Sequence, residues 1–256
     1  MNAINLTQTF DMLSGTLTII RNIQGTGLFG GVDLVKDYLA VVLDRAMMLG
    51  SNEKTVPLPE IKAMAAGAKK GAIEGAQDLK LGIDTSMQRS QTDLDRSIVW
   101  DSGPGKFMAN YLNATLRLPD RIFMEAYYQS HLLGLMKLNN TTTATEEMKE
   151  TALMFATRKT FNDHTRVAKA LGAVKKALNM GFRWGLGDMV VKFTNVTGNL
   201  VTRTVEYSPM SLFRTGYHLV SVVKQAKEEG ISYREAFVQH QSQIANSLAD
   251  SLVGTS

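Results

Sequence analysis

Apolar residues recur at helical intervals along most of the chain, and they mark out its elements. Leu6, Phe10, Leu13, Leu17 and Ile20 are separated by four, three, four and three positions, which lays them along one face of an α-helix. The same alternation returns without a break in Leu28, Val32, Val35, Leu39, Val42, Ala46 and Leu49. Between the two rows lie Gly25, Gly27, Gly30 and Gly31. Glycines at that density predict a hinge or tight corner, and hence an N-terminal helical hairpin.

Helical signals continue to the end. Pro59 and Glu60 open a helix over "EIKAMAAGAKKGAIEGAQDLK", with proline suited to its first turn. Gly67, Gly71 and Gly75 recur every four residues there. Lys69, Lys70 and Glu74 on the same segment argue against a membrane span, so the smooth ridge predicts close packing on another helix. So much glycine also lowers intrinsic helix stability and leaves this helix dependent on a neighbour. Gly103-Pro104-Gly105 is a strong breaker and divides the chain into expected helical subdomains at 1–100 and 106–256.

Beyond it, Pro119 should end one helix and Asp120 open the next, whose face carries Ile122, Phe123, Ala126, Tyr127, Ser130 and Leu133. Thr143 and Glu146 fit a capping box. In "RVAKALGAVKKALNM", Val167, Leu171, Val174 and Leu178 point away from Lys169, Lys175 and Lys176, giving an amphipathic basic helix. Ser208 and Pro209 form an N-cap and first-turn pair, and Gly230 closes the helix that follows. Ser232 and Glu235 make a second capping box before a last helix striped by Ala236, Phe237, His240, Ile244, Leu248 and Leu252. The predicted fold is all-α: an irregular bundle of about eight helices with a Gly-rich N-terminal hairpin.

Composition supports that class. The 256 residues are 44% hydrophobic and 20% charged, with 14 methionines and 5 prolines, as suits a folded helical protein. The absence of cysteine excludes disulfides, thiolate zinc sites and a cysteine nucleophile. A net charge of +4 leaves room for weak contact with DNA or an anionic membrane. "MNAINLTQTFDML" lacks a basic stretch followed by an apolar core, so no secretory signal is expected. No window approaches the roughly 18–20 uninterrupted apolar residues of an ordinary span.

Candidate chemistry is sparse. Gly25, Gly27 and Gly30 spell GxGxxG, and Asp44 follows at about the distance of the ribose-binding acid in a dinucleotide site. That fingerprint needs a strand before the glycines, where the period here is helical. A nucleotide-binding enzyme is therefore the least favoured reading. His131, His164, His218 and His240 lie far apart with no metal-ligand spacing. Asp93 and Asp95 point to different faces of a helix. The Arg158-Lys159 and Lys175-Lys176 pairs are too sparse for a specific DNA reader. No catalytic, cofactor-binding or metal site, and no small-molecule substrate, is expected.

One stretch is suggestive in kind: "GLGDMVVKFTNVTGNLVTRTVEYSPMSLF". It resembles helical segments of the large polyvalent, virion-associated proteins of bacteriophages, some of which are injected with the genome. The resemblance rests on Phe193, Thr197, Asn199, Arg203, Glu206, Tyr207, Ser208 and Pro209. "LRLPDRIFMEAY" and "TIIRNIQGTG" resemble upstream parts of the pattern, and the family's Thr-Pro turn is "NVTGN" here, without its proline. The resemblance implies a non-catalytic structural or interaction region, internal to the virion or associated with DNA ejection. It would meet other virion chains or its own copies, in the virion or the host cytoplasm. A membrane-associated helical protein is the alternative, motivated by the Gly67 ridge and the basic helix at 165–180.

Overall fold

The computed structural model describes residues 16–51, 53–81, 111, 118–160, 166–180 and 194–255. Among them the chain is all-α. Eight helices follow one another: α1 (Thr16–Ser51), α2 (Ile61–Leu81), α3 (Leu118–Leu138), α4 (Glu146–Lys159), α5 (Arg166–Met180), α6 (Thr194–Glu206), α7 (Ser211–Glu229) and α8 (Tyr233–Thr255). No described residue belongs to a strand.

The expected hairpin is corrected. Gly25, Gly27, Gly30 and Gly31 all lie inside α1, a single helix of 36 residues. Glycine costs a helix interior up to about 1 kcal/mol relative to alanine but does not terminate it. Without a proline or a left-handed residue among them, the helix runs on. One of these glycines has a packing role: a Cβ on Gly30 would strike the Tyr127 hydroxyl, whereas Gly27 and Gly31 face open space.

The face that α1 buries is also not the one its apolar row predicts. Leu28 is 71% exposed, Val35 63% and Val42 62%, while Asp33, Lys36, Ala40, Val41 and Asp44 are buried. The charged face turns inward because every charge on it meets a partner there, as described below. The apolar row is left outside.

Packing joins the helices in two groups. Ala40 and Val41 of α1 meet Ala245 and Ala249 of α8, and Val56 of the connection seals the same cluster. Val222 and Ala226 of α7 meet Ala236 and Ile244 of α8. Alanines at these contacts let the helix axes approach closely. In the other group Met124 and Tyr127 of α3 pack with Ala156 of α4, and Met64 of α2 lies against them.

Among the described helices α2 and α3 share a long contact, and the glycine ridge lets them approach closely. A Cβ on Gly67 would lie 2.5 Å from the Glu125 carbonyl oxygen, and one on Gly71 would lie 2.7 Å from that of Arg121. Ion pairs flank the seam, Arg121–Glu74 at 2.7 Å and Lys70–Glu125 at 2.5 Å. The breaker at 103–105 lies outside the described residues, but helices from its two sides pack together, α2 on α3 and α1 on α8.

The helix ends follow local chemistry. Glu60 caps α2, its carbonyl accepting from Met64 N–H at 2.9 Å, so Pro59 stands one residue before the cap. Pro119 and Asp120 fall in the first turn of α3. Thr145, not Thr143, caps α4, its hydroxyl accepting from Met148 N–H at 3.3 Å. Thr145 is the threonine adjoining Glu146 and Glu147, so cap and first-turn acids act together on the helix dipole.

Ser208 accepts from Met210 N–H at 3.3 Å within a turn, and α7 begins only at Ser211. The box at Ser232 is complete: Ser232 N–H donates to Glu235 at 3.0 Å, and Glu235 N–H donates to the Ser232 hydroxyl at 3.2 Å. Gly230 ends α7 at φ 67°, the left-handed conformation that glycine adopts without steric cost.

Candidate functional site

A buried charge network holds α1, α4, α6 and α8 together. Asp33, on the inward face of α1, accepts from Arg203 of α6 at 3.3 Å and lies 3.3 Å from Lys159 at the end of α4. The Tyr207 hydroxyl donates to the same carboxylate oxygen. Lys159 also donates to Asp37 at 2.9 Å, Lys36 pairs with Asp250 of α8 at 2.8 Å, and Arg203 donates to the Arg158 carbonyl at 2.9 Å. Asp33, Lys36, Lys159, Arg203 and Asp250 are all buried.

Burying charge is costly unless each group is paired, and the titration behaviour follows from that balance. Burial raises the Asp33 carboxyl, but Lys159, Arg203, Lys36 and the Tyr207 hydroxyl together hold it below the usual carboxylate range. Burial lowers the Lys159 ammonium, and Asp37 and Asp33 offset only part of that. Arg203 is lowered by burial but raised further by Asp33. Glu206 is raised by burial, yet Arg158, Arg203, Lys36 and Arg214 bring it below the ordinary value. Burial, followed by the field of Asp33, pushes both the Tyr127 and Tyr207 hydroxyls up. Both stay neutral at pH 7, and Tyr207 donates to Asp33.

Beside this network lies a cavity of about 220 Å³. Lys36, Arg158, Lys159, Arg203 and Arg214 line one part of it, with Asp37 and Asp250. Leu34, Val56, Pro57, Pro59, Met64 and Phe155 supply apolar lining. Arg158 of α4 and Arg214 of α7 both donate to one oxygen of Glu206, the latter at 3.3 Å, and both guanidinium groups are almost half exposed. His131 stacks on Phe155 with ring centroids 3.9 Å apart and planes 8° from parallel. Burial, helped by Lys159, lowers its pKa to about 4, so the ring is neutral at pH 7.

The residues carrying the GxGxxG pattern do not make a nucleotide site. The glycines and Asp44 share one helix, whereas the fingerprint needs them at the ends of two strands. Asp44 is fully buried and occupied: it accepts from Thr55 N–H at 3.1 Å, the Thr55 hydroxyl at 2.5 Å, Val56 N–H at 3.3 Å and Gln241 at 2.8 Å. Its role is to fasten the chain after α1 onto α8.

Of the residues carrying the phage resemblance, Arg203 and Tyr207 come together on Asp33. Glu206 lies between Arg158 and Arg214. Ser208 and Pro209 form the turn into α7. Thr197 and Asn199 fall within α6, so the expected turn at "NVTGN" is helix, because without its proline nothing there interrupts the hydrogen-bond ladder. Phe193 lies outside the described residues, as does His164. His218 and His240 stand 6.2 Å apart, ring to ring, and His240 bonds Gln225 and Gln243 at 3.0 Å each.

Asp33, Lys36, Asp37 and Asp250 are absent from the sequence expectation, and Lys159 enters it only in a basic pair with Arg158. Their signal was present, since Asp33, Asp37, Ala40 and Asp44 repeat at the same four-and-three interval as the apolar row. A charged helix face is ordinarily the solvated one, and here it is not.

Among the described residues no group of three or more His, Asp or Glu is placed to hold a metal ion. No described helix is long and apolar enough to cross a membrane. The class that the fold defines is an all-α bundle locked by a buried ionic network. No protein-family model, curated protein or solved structure matches the chain.

Proposed function

We propose that this chain is a non-catalytic structural and interaction module of a phage-type virion-associated protein, and that its copies meet along α1. The observation that carries the reading is the outward apolar row of that helix. Leu28, Val32, Val35, Leu39 and Val42 keep the four-and-three spacing of a coiled-coil seam. Leu28, Val32, Val35 and Val42 are exposed, and Leu39 is half buried against the core.

A helix with partners on one face and such a seam on the other is suited to a second helix. From Leu28 to Val42 the seam runs about 21 Å at 1.5 Å per residue. Phe29, Tyr38 and Leu43 flank it, together with Lys36 and Arg45, whose charges are paired within the chain to Asp250 and Asp44. A second uncovered row lies on α7, where Phe213 is 80% and Tyr217 70% exposed, and it offers a further chain of the assembly a foothold. The resemblance to virion-associated helical segments supports the same reading, since Arg203 and Tyr207 anchor α6 to the helix that carries the seam.

Light scattering on the eluting protein tests this. The wild-type chain should be dimeric or larger at micromolar concentration, and Val35→Glu with Val42→Glu should be a folded monomer. A monomeric wild type across that range would overturn the reading. Contact with an anionic membrane is the second reading. It is favoured by α5, whose Val174 and Leu178 are exposed beside Lys169 and Lys176 and without any acidic residue. Co-sedimentation with vesicles containing phosphatidylserine, but not with neutral ones, would support it, and no binding to either would exclude it.

A further inference from the structure

We infer that the cavity between α1, α3, α4, α7 and α8 is a binding site for a small organic anion, a carboxylate or phosphate ester with a compact apolar body. Three features of the site point to it.

The first is charge. Lys36, Arg158, Lys159, Arg203 and Arg214 face the cavity, and the carboxylates that pair with them are Asp33, Asp37, Glu206 and Asp250. Among the described residues these are five cations against four carboxylates, with Arg158 and Arg214 sharing Glu206. Of the four acids only Asp37 and Asp250 line the cavity; the lining itself is therefore more cationic than the network as a whole. Neutral His131 adds no charge to this balance at pH 7. In a partly enclosed space of lowered dielectric a cationic lining attracts an anion more strongly than it would in water.

The second is the sharing of Glu206. Arg158 and Arg214 spend one donor each on the same carboxylate oxygen. A guanidinium has five N–H donors in a planar fork. Two forks from different helices converging on one acceptor keep donors to spare at the opening, where both side chains reach solvent. Bidentate guanidinium contacts recognise carboxylate and phosphate oxygens.

The third is the rest of the lining. Leu34, Met64, Pro57, Pro59 and the Phe155–His131 stack suit an apolar or aromatic body. An apolar wall with a few convergent polar groups is the ordinary make-up of a small-molecule site. A cavity of about 220 Å³ admits a ligand of one ring and an anionic group, not a nucleotide.

Calorimetry and thermal melting with benzoate, phenyl phosphate, inorganic phosphate and the neutral benzyl alcohol, at matched ionic strength, test the site on the full chain. Benzoate or phenyl phosphate should bind and raise the melting temperature. Inorganic phosphate should bind more weakly, and benzyl alcohol should not bind. Arg214→Gln should weaken the organic anion by about tenfold, a loss of one charged contact, and Lys224→Gln, an exposed cation elsewhere on α7, should leave it unchanged.

If Arg214→Gln proves unstable, Arg214→Lys, which keeps the charge but loses the fork, should weaken binding by a smaller factor. Absence of binding by both organic anions at millimolar concentration would overturn the inference. So would equal losses in the Arg214 and Lys224 variants. The readout is independent of oligomeric state, so failure here leaves the assembly reading untouched, and the reverse also holds.

Discussion

Asp33 and Arg203 lie 170 positions apart in the chain and meet at 3.3 Å, each less than 5% exposed. Asp33 also receives Lys159 and the Tyr207 hydroxyl, so one carboxylate joins α1 to α4 and α6. Breaking a buried pair by removing one partner typically costs about 3–5 kcal/mol, because the other charge is left buried and unpaired. Asp33→Ala should fall in that range, since Arg203 loses its 3.3 Å partner and Lys159 one of its two carboxylates. The triple change Asp33→Leu, Lys159→Met, Arg203→Met should cost much less than the single one, as apolar replacements of buried ionic groups often do. Urea denaturation of the three proteins distinguishes these outcomes.

Gly71 and Gly27 should respond in opposite directions to the same substitution. A Cβ on Gly71 would sit 2.7 Å from the Arg121 carbonyl oxygen, which belongs to a helix backbone and cannot rotate away, while Gly27 has nothing within 4 Å. Gly71→Ala should lose about 1–3 kcal/mol as α2 and α3 are forced apart. Gly27→Ala should gain roughly 0.5–1 kcal/mol from helix propensity alone. Thermal melts of the two variants beside the wild type measure both.

His131 should make the protein acid-sensitive in a defined window. Its pKa falls from 6.5 to about 4 on folding, so between those values the unfolded chain binds a proton that the folded chain does not. Stability is fully present above pH 6.5 and declines as the pH drops toward 4. The loss from this ring approaches 3 kcal/mol at most, at 1.36 kcal/mol per pKa unit. His131→Phe, which keeps the stack on Phe155, should flatten the melting temperature between pH 6.5 and 4.5. An unchanged slope would show that other groups carry it.

Ser232→Ala tests the capping box. It removes the hydroxyl that accepts Glu235 N–H at 3.2 Å and should cost about 1 kcal/mol, with fraying confined to the start of α8. Amide exchange at residues 233–236 reads that out.

The elements were largely legible in the sequence, because helical period, proline, glycine and the Ser232–Glu235 box are local signals. The Gly67–Gly71–Gly75 ridge even named its own use. Orientation was not legible. The apolar row from Leu28 to Val42 and the charged row from Asp33 to Asp44 have the same period on opposite faces of one helix. Which row turns inward depends on Lys159, Arg203, Gln241 and Asp250, each more than 110 positions away. The hairpin failed for a related reason: glycines permit a turn but do not require one, and Gly30 instead makes room for the Tyr127 hydroxyl against α1. The cavity was hidden altogether, being assembled from helices spread over most of the chain.

The seam on α1 can be tested directly because the chain has no cysteine. Val35→Cys and Val42→Cys, oxidised alone and as a mixture, report a parallel pairing as 35 with 35 and 42 with 42, and an antiparallel one as 35 with 42. At least one of these disulfide dimers should form much faster than any dimer of Ala66→Cys, an exposed position on α2. If none outpaces that control, copies of this chain do not meet along α1.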